Sequence, residues 1–265
     1  MCIEMSSFDF RLITSLPHYQ IIELSHCHII KLPHYRIIAL THCHINNPMF
    51  FDTHTHNTSL AVGHGITNFR IGHDTTLPRG YFSAGIHPWD ADSINIPSTL
   101  QELETLLAHP RCVALGEIGL DKACQVSLHL QTQVFEQQLH LAQQLKVPLI
   151  ILHVVRTMAE ILAIKKQTDI NAQWIVHGFN GNADTARQWL SHGFYLSVGA
   201  AVLHPQSKLK EALPSIDTSR LLIETDEYTG GIEVIYQAIA NVLKIKKEIL
   251  KDCIYNNISK LIHFV

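Results

Sequence analysis

The chain has 265 residues, 46% of them hydrophobic and only 16% charged, with a formal net charge of -3. That balance excludes a disordered chain and a basic protein that coats nucleic acid, so any nucleic-acid contact must be local. No apolar run reaches the ~18 residues of a membrane span, and no charged segment followed by an apolar core marks a secretory signal. The six cysteines form no CxxC pair and read as reduced thiols, which predicts a cytoplasmic protein. The unusual count is nineteen histidines.

Residues 1–48 carry a repeat with a period of sixteen: Leu16-Pro17-His18-Tyr19 returns as Leu32-Pro33-His34-Tyr35, and His26-Cys27-His28-Ile29 as His42-Cys43-His44-Ile45. One reading is a metal-binding or metal-storage appendage built from the two His-Cys-His triplets. Neighbouring residues of an extended segment point to opposite sides, however, and converge poorly on one ion. Two copies are also too few to stack a solenoid core. The reading adopted is a leader that is not part of the fold, with translation beginning at Met49.

From Met49 onward, short apolar runs alternate with amphipathic stretches. Strands are predicted at 50–52, 81–86, 112–117, 147–152, 174–176, 194–198 and 221–223. Helical spacing appears around Phe135, Leu139 and Ala142, around Ile161 and Ile164, and over 182–190, 232–243 and 245–262. Alternating strands and helices imply a parallel sheet with crossover helices, either a (β/α) barrel or a doubly wound sheet. No GxGxxG, GxxxxGK[ST] or GxSxG motif favours a nucleotide fold or a serine nucleophile.

The ionisable residues carry the functional argument. His54 and His56 follow the first predicted strand, Glu117 and His153 close two others, and His177 and Asp226 come at the ends of two more. In a parallel barrel these strand ends share one face, which is where active sites lie. Each histidine alone would more often be structural. Together, four imidazoles and two carboxylates exceed one tetrahedral site and suit two divalent ions sharing a bridging carboxylate. His54-x-His56 places both rings on the same side of an extended segment.

These residues lie in motifs that resemble the TatD-family metal-dependent hydrolases. The motifs are Phe51-Asp52-Thr53-His54-Thr55-His56, Gly85-Ile86-His87-Pro88, Gly116-Glu117-Ile118-Gly119-Leu120-Asp121, Ile151-Leu152-His153, His177-Gly178-Phe179-Asn180-Gly181 and Glu224-Thr225-Asp226. The closer likeness is to short members with Gly-Ile-His-Pro-Trp and Glu-Thr-Asp-Glu. The resemblance implies a TIM-like (β/α) barrel over 49–265 and a deoxyribonuclease that cleaves phosphodiester bonds with a metal-activated water. It implies two divalent ions (Mg, Mn or Zn), with His54, His56 and Asp226 on one, His153 and His177 on the other, and Glu117 between them. Asp226 would orient or deprotonate the water, and His87 and Arg156 would contact the phosphate. The plain alternative for Arg156 is a solvated side chain in a first helical turn.

One departure stands out. Residues 57–80 are short, rich in glycine and without helical period, which predicts a truncated or irregular second β/α unit. The implied substrate is DNA at single-stranded ends, with no membrane contact and no obligate protein partner. The competing substrate is a small molecule, cleaved by amidohydrolase or lactonase chemistry. Many such relatives bridge their metals with a carboxylated lysine, a role that Glu117 fills here. Trp89 reads equally as a stacking or a packing residue, Lys122 as an exposed ion pair, and Cys112, Cys124 and Cys253 as buried or half-buried thiols.

Overall fold

The structure is a computed structural model that describes residues 49–262 and, before them, the backbone of four short strands. Two compact units are present, Met1–Pro48 and Met49–Val265. In the first, β1 (Arg11–Ile13), β2 (Gln20–Leu24), β3 (Cys27–Lys31) and β4 (Ile38–Thr41) pair antiparallel in chain order. The side chains of the two His-Cys-His triplets, and with them the metal-binding reading of this segment, lie outside the described residues.

In the second unit eight strands follow one another in a single parallel sheet. They are β5 (Asp52–Thr55), β6 (Gly65–Arg70), β7 (Tyr81–Gly85), β8 (Cys112–Asp121), β9 (Leu149–Val155), β10 (Gln173–Val176), β11 (Tyr195–Val198) and β12 (Leu221–Ile223). A parallel bridge between Thr55 and Asp226 brings the last strand against the first, so the sheet nearly closes into the expected TIM-like barrel. Helices α1 (Ile96–Leu107), α2 (Leu128–Leu145), α3 (Met158–Gln167), α4 (Ala183–Ser191), α5 (Leu209–Ala212), α6 (Ile232–Leu243) and α7 (Lys247–Ser259) occupy the later connections. No helix among the described residues is long and apolar enough to cross a membrane.

The predicted irregularity lies where the sequence placed it. Residues 56–64 and 71–80 connect β5 to β6 and β6 to β7 without a helix. The strand between them is nonetheless present. β6 was not predicted because its buried positions include Gly65, Thr67 and Asn68, which interrupt the apolar run. Gly65 is required there, since a Cβ would collide with the Asp52 carbonyl oxygen. α1 also escaped the pattern: Asn95 caps it, but only Thr99 and Leu103 are buried along it, too thin a stripe to show helical period.

Alternation along the strands decides which residues reach the barrel interior. On β9, Ile150 and Leu152 join the apolar layer shared with the helices, whereas Leu149 and Ile151 belong to a second cluster with Ile66, Ile175 and Leu222. His153 has the parity of Ile151, and His177 that of Ile175, so both rings enter the interior. β8 reaches the same result by a bulge. Leu115 pairs with Ile150 and Ile118 with Leu152, so β8 carries one extra residue between them. Leu115, Ile118 and Leu120 all belong to the helix-facing layer. The extra residue therefore changes the parity, and Glu117, Gly119 and Asp121 turn inward.

Candidate metal centre

β8 and β9 stay paired past Glu117 to Asp121 and Val155. Glu117 and His153 thus stand within strands rather than closing them, as the sequence suggested. His54 likewise lies inside β5. All six expected residues nevertheless converge. Glu117 is buried at their centre, and its backbone N–H donates to Asn68 Oδ1 at 3.0 Å. Oε1 lies 2.7 Å from His177 Nε2, 2.8 Å from His153 Nδ1 and 3.3 Å from His87 Nε2. Oε2 lies 3.4 Å from His54 Nε2 and 3.8 Å from His56 Nε2. Asp226 Oδ1 faces the same two rings, at 3.7 Å from His54 and 3.4 Å from His56.

Burial by itself would push the Glu117 carboxyl up, but the His177 charge, the hydrogen bonds of His153 and His177 and the nearby His54 ring hold it well below the usual carboxylate range. Burial works equally against charge on His177, and Glu117 and then Glu224 overcome it, so that imidazole sits well above its ordinary value. His56 is raised, chiefly by its hydrogen bond with Asp226. Asp226 is lowered despite its burial, with His56 as the main opposing cause.

The donor set fits divalent metal. His54 Nδ1 and Nε2 are both buried with no hydrogen-bond partner. An orphaned polar atom costs roughly 1–3 kcal/mol, and Nε2, which faces Glu117 Oε2 and Asp226 Oδ1, is the atom that an electrophile between them would satisfy. Three donor triplets each gather their ligand atoms within 4.8 Å: His54, Glu117 and His177; His54, His56 and Asp226; and His87, Glu117 and His153.

Several supporting residues were not singled out from the sequence. Asp121 Oδ2 lies 3.2 Å from His153 Nε2, and Asp121 Oδ1 accepts the Ala123 N–H at 2.6 Å. Buried Glu224 accepts the Gly178 N–H at 2.5 Å, and the same oxygen is 3.4 Å from His177 Nδ1, an ionic contact longer than a good hydrogen bond. Gly119, at φ 143°, lets β8 lie against β9, because a Cβ there would collide with the His153 carbonyl oxygen. Both carboxylates have the inward parity of their strands, Asp121 that of Gly119 and Glu224 that of Leu222, but for Asp121 that parity is set by the β8 bulge.

The barrel closes beside these ligands. Asp226 N–H donates to His54 O at 2.9 Å, and His56 N–H to Asp226 O at 3.2 Å. Side chains complete the seam: Thr225 Oγ1 donates to Asp52 Oδ2 at 2.6 Å, Thr225 N–H to Asp52 Oδ1 at 3.0 Å, and Thr53 Oγ1 to Ile223 O at 2.9 Å. Burial pushes the Asp52 carboxyl up to about 7 against the Thr225 hydrogen bonds.

The two expected phosphate contacts fall in different places. His87 joins the cluster; its Nδ1 accepts the Trp89 N–H at 3.2 Å, which leaves the ring proton on Nε2, toward Glu117. Arg156 is exposed, at φ 57°, and lines a cleft of about 460 Å³ with Lys122, His177 and Asn180. Lys122 pairs with Glu160, as its sequence context suggested.

The family model described as TatD related DNase matches residues 41–263. The chain belongs to this family. It is 36% identical over 148 residues to the uncharacterized metal-dependent hydrolase YabD of Bacillus subtilis, covering 55% of this chain and 58% of that one. It is also 36% identical over 148 residues to a Cronobacter turicensis protein named 3'-5' ssDNA/RNA exonuclease TatD, covering 54% and 56%. The matched region thus spans little more than half the length of these relatives. Among solved structures, the TatD homolog YjjV of Escherichia coli superposes with a TM-score of 0.69 at 21% identity, over 80% of this chain and 97% of that one. A TatD family hydrolase of Entamoeba histolytica gives 0.68 at 18%, over 82% and 98%. At these identities the TatD structures speak for the fold, a TIM barrel.

Proposed function

We propose that this TatD-family chain is a two-metal phosphodiesterase that trims single-stranded DNA. The observation that carries the reading is the division of Glu117, whose two oxygens face separate sets of imidazoles. His54, His56 and Asp226 would hold one divalent ion and His153 and His177 the other, with Glu117 shared between them; magnesium, manganese and zinc would all suit this nitrogen and oxygen set. Bound ions supply Lewis-acid polarisation of the phosphate and acidify a water.

The chain's own groups do the rest. Asp226, partly exposed and held ionised by His56, orients the attacking water and takes its proton. His87 offers its Nε2 proton toward a phosphate oxygen, and Arg156 steadies the backbone from the cleft beside His177. The printed name of the Cronobacter relative supports a nucleic-acid substrate. Free Cys112, Cys124 and Cys253 support a reducing, cytoplasmic setting. The same reading assigns the chemistry to 49–265 and none to 1–48, so a chain begun at Met49 retains full metal content and activity.

The test uses full-length protein stripped of metal, then supplied with manganese or magnesium and an end-labelled single-stranded DNA. Progressive shortening, abolished in Asp226→Asn, is the expected result. Intact DNA beside a metal-loaded protein would sink the nuclease reading and move the substrate to a lactone or amide.

A further inference from the structure

We propose that Trp89 is a stacking platform for an unpaired terminal nucleobase, fixed at the mouth of the metal centre by Asp121. The inference rests on the nucleic-acid reading above and adds how the strand end is recognised. The chain has three tryptophans. Trp174 and Trp189 are buried, whereas Trp89 keeps 48% of its surface exposed. Exposure alone means little, since isolated apolar side chains are common on surfaces.

What distinguishes Trp89 is that it is exposed and immobilised together. Its Nε1–H donates to Asp121 Oδ2 at 2.7 Å, the same oxygen that faces His153 Nε2 at 3.2 Å. The indole plane lies at 78° to the rings of His87 and His153, with centroids 4.7 Å and 5.6 Å away. The Arg70 guanidinium lies 5.8 Å from the ring centroid and is itself locked to Asp90 by two hydrogen bonds. The backbone N–H of Trp89 is also held, by His87. Both N–H groups of the residue are thus engaged while half its surface meets solvent.

A packing residue needs no such exposure, and a merely exposed residue needs no such tether. A ring ordered before binding loses little entropy when a ligand lies on it. It stands one side chain from the centre, because His87, which it touches, has Nε2 3.3 Å from Glu117 Oε1. All four bases have a π-face, so stacking recognises a base without reading sequence. Inside a duplex both faces are covered by neighbouring pairs, and at a duplex end the base is tied to its complement, so the platform favours unpaired ends.

The experiment compares an end-labelled single-stranded oligodeoxyribonucleotide with the same strand made abasic at its terminal three positions. Full-length wild type, Trp89→Ala and Trp89→Phe are measured with magnesium. The platform predicts a KM rise of roughly ten-fold or more for Trp89→Ala on the base-bearing strand, little change on the abasic strand, and an unchanged kcat. Trp89→Phe keeps a π-face and recovers most of the KM. An equal KM rise on both strands, a fall in kcat alone, or a Trp89→Phe as impaired as Trp89→Ala would overturn it, pointing to support of His153 through Asp121.

A second readout needs no turnover. In a magnesium-loaded Asp226→Asn background, the base-bearing strand should quench tryptophan fluorescence, and Trp89→Phe should remove that quenching. If wild type cleaves neither strand, this quenching still decides: its presence upholds the platform while the nuclease reading fails, and its absence defeats the platform.

Discussion

The two oxygens of Glu117 look onto surroundings that are organised by different means. On the Oε1 side, His153 has Asp121 behind its far nitrogen at 3.2 Å, and His177 has Glu224 at 3.4 Å. On the Oε2 side, among the described residues, no second carboxylate stands behind His54, whose ring nitrogens have no hydrogen-bond partner, and His56 is one-third exposed. There the positions of His54, His56 and Asp226 are fixed by the backbone bridge that closes the barrel. One half is oriented through side-chain charge and the other through the fold itself. A ligand set can therefore be weakened on one half by a local substitution, and on the other only by loosening the barrel.

The largest effect should come from the residue common to both halves. Glu117→Gln removes the charge that five imidazoles face, and leaves an amide N–H₂ facing one set of rings. Metal content by mass spectrometry should fall on both halves, with hydrolysis down on the order of a thousand-fold or more. Loss of a single ion with the other retained would show that the halves are independent and that Glu117 does not bridge.

Next comes the seam. Asp52→Ala strands the Thr225 N–H in a buried site, while the Thr225 hydroxyl keeps Thr55 Oγ1 at 2.7 Å. The cost should be about 1–3 kcal/mol, read as a lowered denaturant midpoint. Metal should be lost first from the His54, His56 and Asp226 half. A destabilised protein that keeps both ions would break the link between closure and that half. The carboxylates behind the other half give a smaller, local change. Asp121→Ala and Glu224→Gln should each weaken one ion about 10–100-fold, with little loss of stability for Asp121→Ala. If both variants weaken the His54 half instead, the contrast between the two halves is wrong.

Much of this contrast was legible before any coordinates, and the reasons differ by residue. His153 and His177 each follow an unbroken apolar run, and Asp226 comes three residues after one, so chain order alone places them on one face of a parallel barrel. Glu117 was picked out as a strand-end carboxylate, but its inward direction depends on a bulge that no run of residue types announces. β6 escaped because Asn68, which holds the Glu117 backbone, makes a buried strand look like a loop. Asp121 and Glu224 escaped because a carboxylate beside a ligand is indistinguishable in sequence from a solvated one. What burial pattern dictates was readable, and what depends on one side chain standing behind another was not.

The smallest effect concerns the turn that presents His87 and Trp89 to the Oε1 half. Asp90 closes that turn and is gripped by Arg70 at 2.7 and 2.8 Å and by His73 at 3.1 Å. Burial opposes its ionisation, yet Arg70 and then His73 hold the carboxyl below its ordinary value of 3.8. Such a carboxyl binds its proton less readily in the folded chain than in the unfolded one. Its stabilisation is complete above the ordinary value and is lost as pH falls through the lower folded value. Because Arg70 is partly exposed, the contribution should be about 1 kcal/mol or less. In Asp90→Asn the denaturant midpoint should drop slightly at neutral pH, and the gap to wild type should close as pH falls below the ordinary 3.8 and through the lowered folded value. A gap that persists unchanged into acid would mean that the substitution disturbs packing rather than charge, and that Arg70 is held over Trp89 by something other than this ion pair.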